Sequence, residues 1–260
     1  MLLVIDVGNT NTCLGIFKER ELFAQWRLST NREQTADEYG ILSRNLLTLG
    51  GVQPDEIKAA MVSSVVPTLN PVIQEMAERY FHVQPYFLGP GVRTGMAIHY
   101  DNPLEVGADR IANAVAAFEK YGGPCIVVDF GTAITFDAVS VKGEYLGGVI
   151  APGIGISAEA LFARAARLPR VEIREPERVI GANTVSSMQA GLFYGSVGLV
   201  DGVLARMCAV MGPKARVVAT GGQAELLASA LKHKPPVDPF LTLEGLRIIY
   251  ERNASSAHRK

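Results

Sequence analysis

One segment of the chain is written twice, and that repetition limits the fold more than any composition figure. Leu3-Val4-Ile5-Asp6-Val7-Gly8-Asn9-Thr10-Asn11-Thr12 matches Ile126-Val127-Val128-Asp129-Phe130-Gly131-Thr132-Ala133-Ile134-Thr135, with Asp, Gly and Thr in register at one constant offset. Each copy then resumes an apolar run, Cys13-Leu14-Gly15-Ile16-Phe17 and Phe136-Asp137-Ala138-Val139. Apolar run, polar glycine turn and second apolar run predict a buried strand, a tight turn and a returning strand. Two such units nearly half a chain apart predict two related lobes. A length of 260 residues accommodates both, at about 100–200 residues per domain, and 48% hydrophobic residues can fill two cores.

Between the copies, a third apolar run spans Leu22–Leu28. Thr35 and Glu38 have capping-box spacing for a helix whose predicted apolar face is Leu42, Leu46 and Leu49, with Gly50-Gly51 as its stop. A strand from Ala59 to Val65 and a helix from Thr68 to Tyr80 follow. After the second hairpin comes a turn at Lys142-Gly143 and a strand ending at Gly147-Gly148. Helices are predicted over Ile154–Ala166 and Thr184–Met211, then a strand Ala215–Ala219 leading into Thr220-Gly221-Gly222 and another helix. Strands mixed with crossover helices read as α/β. The predicted joint lies on or near the Asp109–Tyr121 helix, giving an N-terminal lobe 1–118 and a C-terminal lobe 119–260, with a frayed tail from Ala254.

Charge and composition exclude several classes. With 25 Lys+Arg against 26 Asp+Glu the net charge is −1, without the basic excess of a nucleic-acid binder. Cys13, Cys125 and Cys208 are odd in number and far apart, so neither a disulfide framework nor a zinc site is expected. His82, His99, His233 and His258 show no metal spacing. The first segment lacks the basic n-region of a signal peptide, and no stretch approaches ~18 unbroken apolar residues. The expectation is a cytoplasmic protein off the membrane. Its mean hydropathy of +0.18 leans apolar, as for a surface partly covered by a partner.

The two turns carry the clearest chemistry. Gly8 and Gly131 are surrounded by Asn9, Thr10, Asn11 and Thr12, and by Thr132 and Thr135. Backbone N–H groups plus hydroxyls make an anion-binding concavity. Asp6 and Asp129, two residues before each glycine, would repel a bare phosphate, and a cation between carboxylate and phosphate resolves the conflict. There is no G-x-x-x-x-G-K-[ST] loop, no dinucleotide fingerprint and no G-x-S-x-G elbow. A third signal is Asn102-Pro103-Leu104-Glu105-Val106-Gly107-Ala108-Asp109-Arg110, opening an Ala-rich helix. Asp109 as a capping acid with Arg110 in a surface ion pair would explain it. So would Asp109 as a base and Arg110 as a bidentate carboxylate grip. Thr220-Gly221-Gly222 reads either as a strand-to-helix turn or as a place where adenine or ribose lies on the backbone.

Together these motifs resemble the type III pantothenate kinases of the acetate and sugar kinase/Hsp70/actin superfamily. The resemblance runs from Asp6 to about Gly222. It is carried by Asp6–Asn11, by Glu105–Arg110, by Asp129–Asp137 and by Gly147-Gly148-Val149-Ile150-Ala151-Pro152-Gly153. It implies two lobes of actin-like (ribonuclease H-like) fold with the active site in the cleft between them. It also implies ATP-dependent phosphorylation of pantothenate to 4′-phosphopantothenate, the first step toward coenzyme A. The loop Asp6, Val7, Gly8, Asn9, Thr10, Asn11, Thr12, Cys13 would then hold ATP with Thr132, Gly221 and Gly222. Tyr100, Gly107, Ala108, Asp109 and Arg110 would line the pantothenate site, with Asp109 accepting the hydroxyl proton. Asp129 would bind a monovalent cation, K⁺ or NH₄⁺, beside Mg²⁺–ATP. Thr184 would reach pantothenate from the neighbouring subunit of a homodimer. The resemblance leaves three other readings: a sugar kinase or polyphosphatase of the same superfamily, a regulatory factor like the transcription-linked Bvg accessory proteins, and a purely structural actin-like filament protein.

Overall fold

A computed structural model describes residues 1–257. Its strands are β1 (Leu2–Val7), β2 (Asn11–Lys18), β3 (Glu21–Ser29), β4 (Ala59–Ser64), β5 (Pro85–Phe87), β6 (Cys125–Phe130), β7 (Ala133–Val139), β8 (Tyr145–Pro152) and β9 (Arg216–Thr220). Its helices are α1 (Ala36–Leu49), α2 (Asn70–Phe81), α3 (Ala108–Tyr121), α4 (Ile154–Arg164), α5 (Thr184–Met211), α6 (Ala224–Ala228) and α7 (Leu241–Ala257). The chain divides into two compact units: Met1–Ala116 joined by the chain from Leu241 on, and Ala117–Phe240.

The first unit holds a sheet of order β3-β2-β1-β4-β5, with β2 antiparallel and β4 parallel to β1. Leu3, Ile5 and Val7 of β1 pack with Tyr39 and Leu47 of α1 and Ile73 and Met76 of α2. Residues alternate sides along a strand, so Leu2 and Val4 face the other way, and α7 covers that side against β1, β2 and β4. A strand buried on both faces reads as an unbroken apolar run, as Leu2-Leu3-Val4-Ile5 does. This is why the division at 118/119 does not hold for the end of the chain. Leu241, Leu246 and Ile249 of α7 are buried in the first unit, and Ala254–Ala257 continue its helix instead of fraying.

The capping box at Thr35 and Glu38 forms as read, but the buried face of α1 is Tyr39, Gly40, Ser43 and Leu47. Leu49 is 84% exposed and Leu47 0%. Of the expected stripe, Leu46 packs partly buried against the core, while Leu42 and Leu49 are exposed. The short edge strand β5 carried no alternation long enough to read.

The second unit repeats the arrangement in the order β8-β7-β6-β9, with β7 antiparallel and β9 parallel to β6. Ile126, Val128, Phe130, Ile134 and Phe136 pack against Phe193, Val200 and Leu204 of α5. Strand β8 runs on past Gly147-Gly148 to Pro152, because the edge of β7 offers partners as far as Ala133↔Pro152. Among the described residues α5 is the one helix long and apolar enough to cross a membrane by length and composition. One of its sides lies in this core, while Val185, Tyr194 and Val210 point outward.

Candidate active site

Both repeated turns form where expected, at the ends of β1 and β6, but they differ by one residue. Asp6 pairs with Cys13, whereas Asp129 pairs with Thr135. The Gly8 N–H reaches Asn11 O at 3.0 Å across two residues, and the Gly131 N–H reaches Ala133 O at 3.1 Å across one. Thr12 and Thr135, matched in sequence, are therefore not structural counterparts. A slip of one residue flips a strand's faces: Thr12 takes the buried place that Ile134 takes in the second hairpin, and Thr135 flanks the carboxylate strand end.

The first turn is held by hydroxyls. Thr30, just past β3, donates from Oγ1 to Gly8 O at 2.7 Å, shares a 2.9 Å hydrogen bond with Thr12 Oγ1, and donates its backbone N–H to Thr10 O at 2.9 Å. Arg32 Nη2 donates to Asn9 Oδ1 at 3.1 Å. Asn9, Thr10 and Asn11 are exposed, Gly8 and Cys13 half-buried, and Val7 and Thr12 fully buried. The side chains of Val7 and Thr12 thus support the turn from beneath. Sequence reading missed Thr30, since a lone threonine at a strand end carries no periodic or motif signal.

The second turn is held by main chain. The Gly153 N–H donates to Thr132 O and the Gln223 N–H to Phe130 O, both at 3.1 Å. Thr132 is exposed and Asp129 half-buried, and Asp129 is level with Thr220 of β9, which brings Gly221 alongside. Gly222 is exposed next to it. Beneath Thr135 lies a fully buried carboxylate: Tyr145 Oη donates to Asp137 Oδ1 at 2.7 Å and Thr135 Oγ1 to Asp137 Oδ2 at 3.3 Å.

Within the first unit, Val65 N donates to Val7 O at 3.0 Å, and Gly107 lies against the Val65 side chain. The Gly107–Arg110 segment is thereby brought to the end of β1 and β4 near the first turn. Asn102 caps the turn ahead of it by accepting the Leu104 N–H at 3.2 Å. Tyr100 is half-buried upstream, and Ala108 opens α3. Asp109 Oδ1 accepts the Arg110 N–H at 2.8 Å. Burial pushes the Asp109 carboxyl above the usual aspartate range, while that N–H and the Arg110 charge act in the opposite direction. Arg110 is only 7% exposed, so the surface-pair reading of this residue is overturned. Thr184 is exposed at the start of α5, behind an Asn183 cap, and lines a cavity of about 480 Å³ with Leu161, Leu168 and Met188.

No three His, Cys, Asp or Glu side chains among the described residues gather into a metal-binding group. His258 lies outside those residues. Cys125 is buried, which pushes its thiol up to about 12.

A family model for type III pantothenate kinase matches residues 2–206. This chain belongs to that family. The type III pantothenate kinase of Myxococcus xanthus is 62% identical over 256 residues, covering 98% of this chain and all of that protein. That of Koribacter versatilis is 58% identical over 270 residues, covering 100% of this chain and 98% of its own. Among solved structures, a Baf-family transcriptional activator from Campylobacter jejuni aligns with TM-score 0.62 at 22% identity, covering 97% of this chain and 99% of that one. The activator of 2-hydroxyisocaproyl-CoA dehydratase from Clostridium difficile, with bound ADPNP, aligns with TM-score 0.56 at 13% identity, covering 100% and 98%. At these identities the two structures establish the shared two-lobed α/β fold.

Proposed function

We propose that the protein transfers the γ-phosphoryl group of ATP to the primary hydroxyl of pantothenate, with Asp109 as the proton acceptor. The bond from the γ-phosphorus to the β–γ bridging oxygen breaks as the bond to the pantothenate oxygen forms. The hydroxyl proton passes to Asp109 and ADP leaves. The observation that carries this assignment is the environment of Asp109. Its carboxyl is desolvated at the start of α3, and its raised pKa makes it a better proton acceptor than an ordinary aspartate near ~3.9. It does not ionise the alcohol beforehand. It orients the hydroxyl and takes the proton as the loose transition state forms.

The backbone of Gly8–Asn11 and of Thr132 would cradle the phosphates, with Asp6 at the first strand end and Gly221 and Gly222 beside the nucleoside. Val7, Thr12 and Cys13 support that loop. Arg110, with Tyr100, Gly107 and Ala108, would hold pantothenate by its carboxylate, since guanidinium meets carboxylate in a two-point grip. Mg²⁺ typically keeps several waters and phosphate oxygens and takes only one or two carboxylates. Single carboxylates at the two strand ends fit that habit, Asp6 near Mg²⁺–ATP and Asp129 near a monovalent cation, K⁺ or NH₄⁺. When bound, these ions offset phosphate charge. The outward apolar residues of α5 support a homodimer in which Thr184 reaches the pantothenate of the neighbouring subunit. The reading includes a cytoplasmic location, with no nucleic-acid or membrane partner.

The test compares Asp109→Asn and Arg110→Ala. Asp109→Asn is expected to lower kcat by about 10²–10⁴-fold with both KM values nearly kept. Because the folded pKa is raised, the protonated form contributes stability below the unfolded pKa, and this is lost as pH rises through the folded value. A permanently neutral asparagine at this position therefore leaves Tm at neutral pH unchanged or higher. Arg110→Ala is expected to raise the pantothenate KM and spare ATP, since uniform binding is lost. Near-normal kcat in a folded Asp109→Asn protein would remove Asp109 from the mechanism.

A further inference from the structure

The tip of the second turn is pressed from two sides by glycines that belong to two other elements. Gly153, between β8 and α4, lies so close that a Cβ there would overlap Thr132 O and sit 2.5 Å from Gly131 O. Its φ of −69° suits any residue, so space alone forbids a side chain. Gly221, after β9, has φ +96°, and a Cβ there would overlap Asp129 Oδ1 and sit 2.6 Å from Phe130 N. Real Cβ atoms do not approach so closely, and three of these four neighbours are backbone atoms that cannot swing aside. The main-chain bonds run through the same two contacts. Gly153 N–H donates to Thr132 O, Gln223 N–H, two residues past Gly221, donates to Phe130 O, and Ser157 anchors Gly153 O from Oγ at 2.9 Å.

We infer that Gly153 and Gly221 form a clasp that sets the position of Asp129–Thr132, and that they are positioning residues for phosphoryl transfer. Each acts through a different part of the turn. Gly153 bears on the carbonyls of Gly131 and Thr132, and so on the phosphate-facing backbone. Gly221 bears on the Asp129 carboxylate, and so on the monovalent cation. A displacement of about 1 Å at a reacting site can cost ~10²-fold in rate, so one methyl group at either position is enough to disable the turn without dissolving the core beneath it.

The inference rests on the roles proposed above for Thr132 and Asp129, and the experiment separates the two. Gly153→Ala and Gly221→Ala are compared with two controls in the same unit. Gly155→Ala sits in α4 with open space, and Gly212→Ala carries φ +89° with open space, so it takes the same backbone strain as Gly221 without the close approach. Both clasp variants are expected to lose about 10- to 100-fold in kcat/KM for ATP, with the pantothenate KM close to wild type. Gly221→Ala alone is also expected to need more K⁺ for half-activation, and high K⁺ should partly restore it. Controls with wild-type kinetics complete the pattern. If the clasp variants lose Tm but match their controls in ATP kinetics per folded molecule, the glycines are merely structural and the inference fails. A wild type indifferent to K⁺ would overturn the cation role of Asp129, while the ATP kinetics of both variants would still judge the clasp. Should either variant not fold, hydrogen exchange on the wild type decides. The amides of Gly153 and Gln223 are expected to slow when a non-hydrolysable ATP analogue is added, and unchanged exchange would refute the clasp.

Discussion

The two repeated hairpins start from nearly the same sequence and are supported by different chemistry. The first turn is one residue longer, and its Gly8 carbonyl hangs on the Thr30 hydroxyl, which in turn meets Thr12. The second is short, fixed by main-chain bonds from Gly153 and Gln223, and pressed by glycines. A longer turn needs side chains to fill and fix it. The shorter one is fixed by backbone and closely approached by Gly153 and Gly221. Matching motifs therefore do not imply matching tolerance to mutation: the first turn should respond to lost hydroxyls and to a side chain at Gly8, the second to atoms added at Gly153 and Gly221.

The comparison breaks most sharply at the paired carboxylates. If the two strand ends have separate duties, Asp129→Ala is expected to abolish the difference between K⁺ and Na⁺ buffers. Asp6→Asn should instead depress turnover in both salts alike. Steady-state rates in the two salts check this, and equal cation responses in both variants would merge the two roles.

A smaller effect is expected beneath each turn. Tyr145→Phe removes the hydroxyl that donates to the fully buried Asp137, and should cost about 1–3 kcal/mol of stability. Thr30→Val removes a partly buried hydroxyl from Gly8 O and should cost about 1 kcal/mol. Denaturant titration measures both. The ATP KM distinguishes them, because Thr30 touches the turn directly and Tyr145 lies one residue layer away. An unchanged ATP KM in Thr30→Val would show that the first turn holds its shape without the hydroxyl.

The smallest effect tests the rim. Arg32 donates to Asn9 from an exposed position, and surface substitutions of this kind usually stay within about 0.5 kcal/mol. Arg32→Ala is expected to leave Tm unchanged and the ATP KM within about twofold of wild type. A large rise in that KM would mean the guanidinium meets the nucleotide itself.

Much of the architecture was readable because it is local. The strand–turn–strand repeats, the Thr35 capping box, the helix opened by Gly107–Arg110 and the long α5 all follow from apolar runs, glycines and capping residues close together in the chain. The face of α1 is decided by the sheet opposite it, which takes Tyr39 and Leu47 and leaves Leu49 exposed, a choice that leucine spacing alone does not record. The fate of the last helix was unreadable for a similar reason. Its apolar residues fit either unit, and only the uncovered side of β1 tells which.

The sequence by itself determined that two hairpins would each carry an Asp and a Gly to a strand end, because a buried strand stops wherever polar and glycine residues break its apolar run. It also determined the chemistry available there: carboxylates, hydroxyls and an Asp-Arg pair at a helix start. Tertiary structure alone decided the one-residue difference in register, since strand pairing is set by which side chains the core accepts. It decided that Arg110 is buried and that the Asp109 carboxyl holds its proton more tightly than usual, because desolvation depends on what packs around a group and not on its neighbours in sequence. It decided, too, that Gly153 and Gly221 meet the same turn, since contact between residues so far apart in the chain exists only once β7, β8 and β9 have closed around β6.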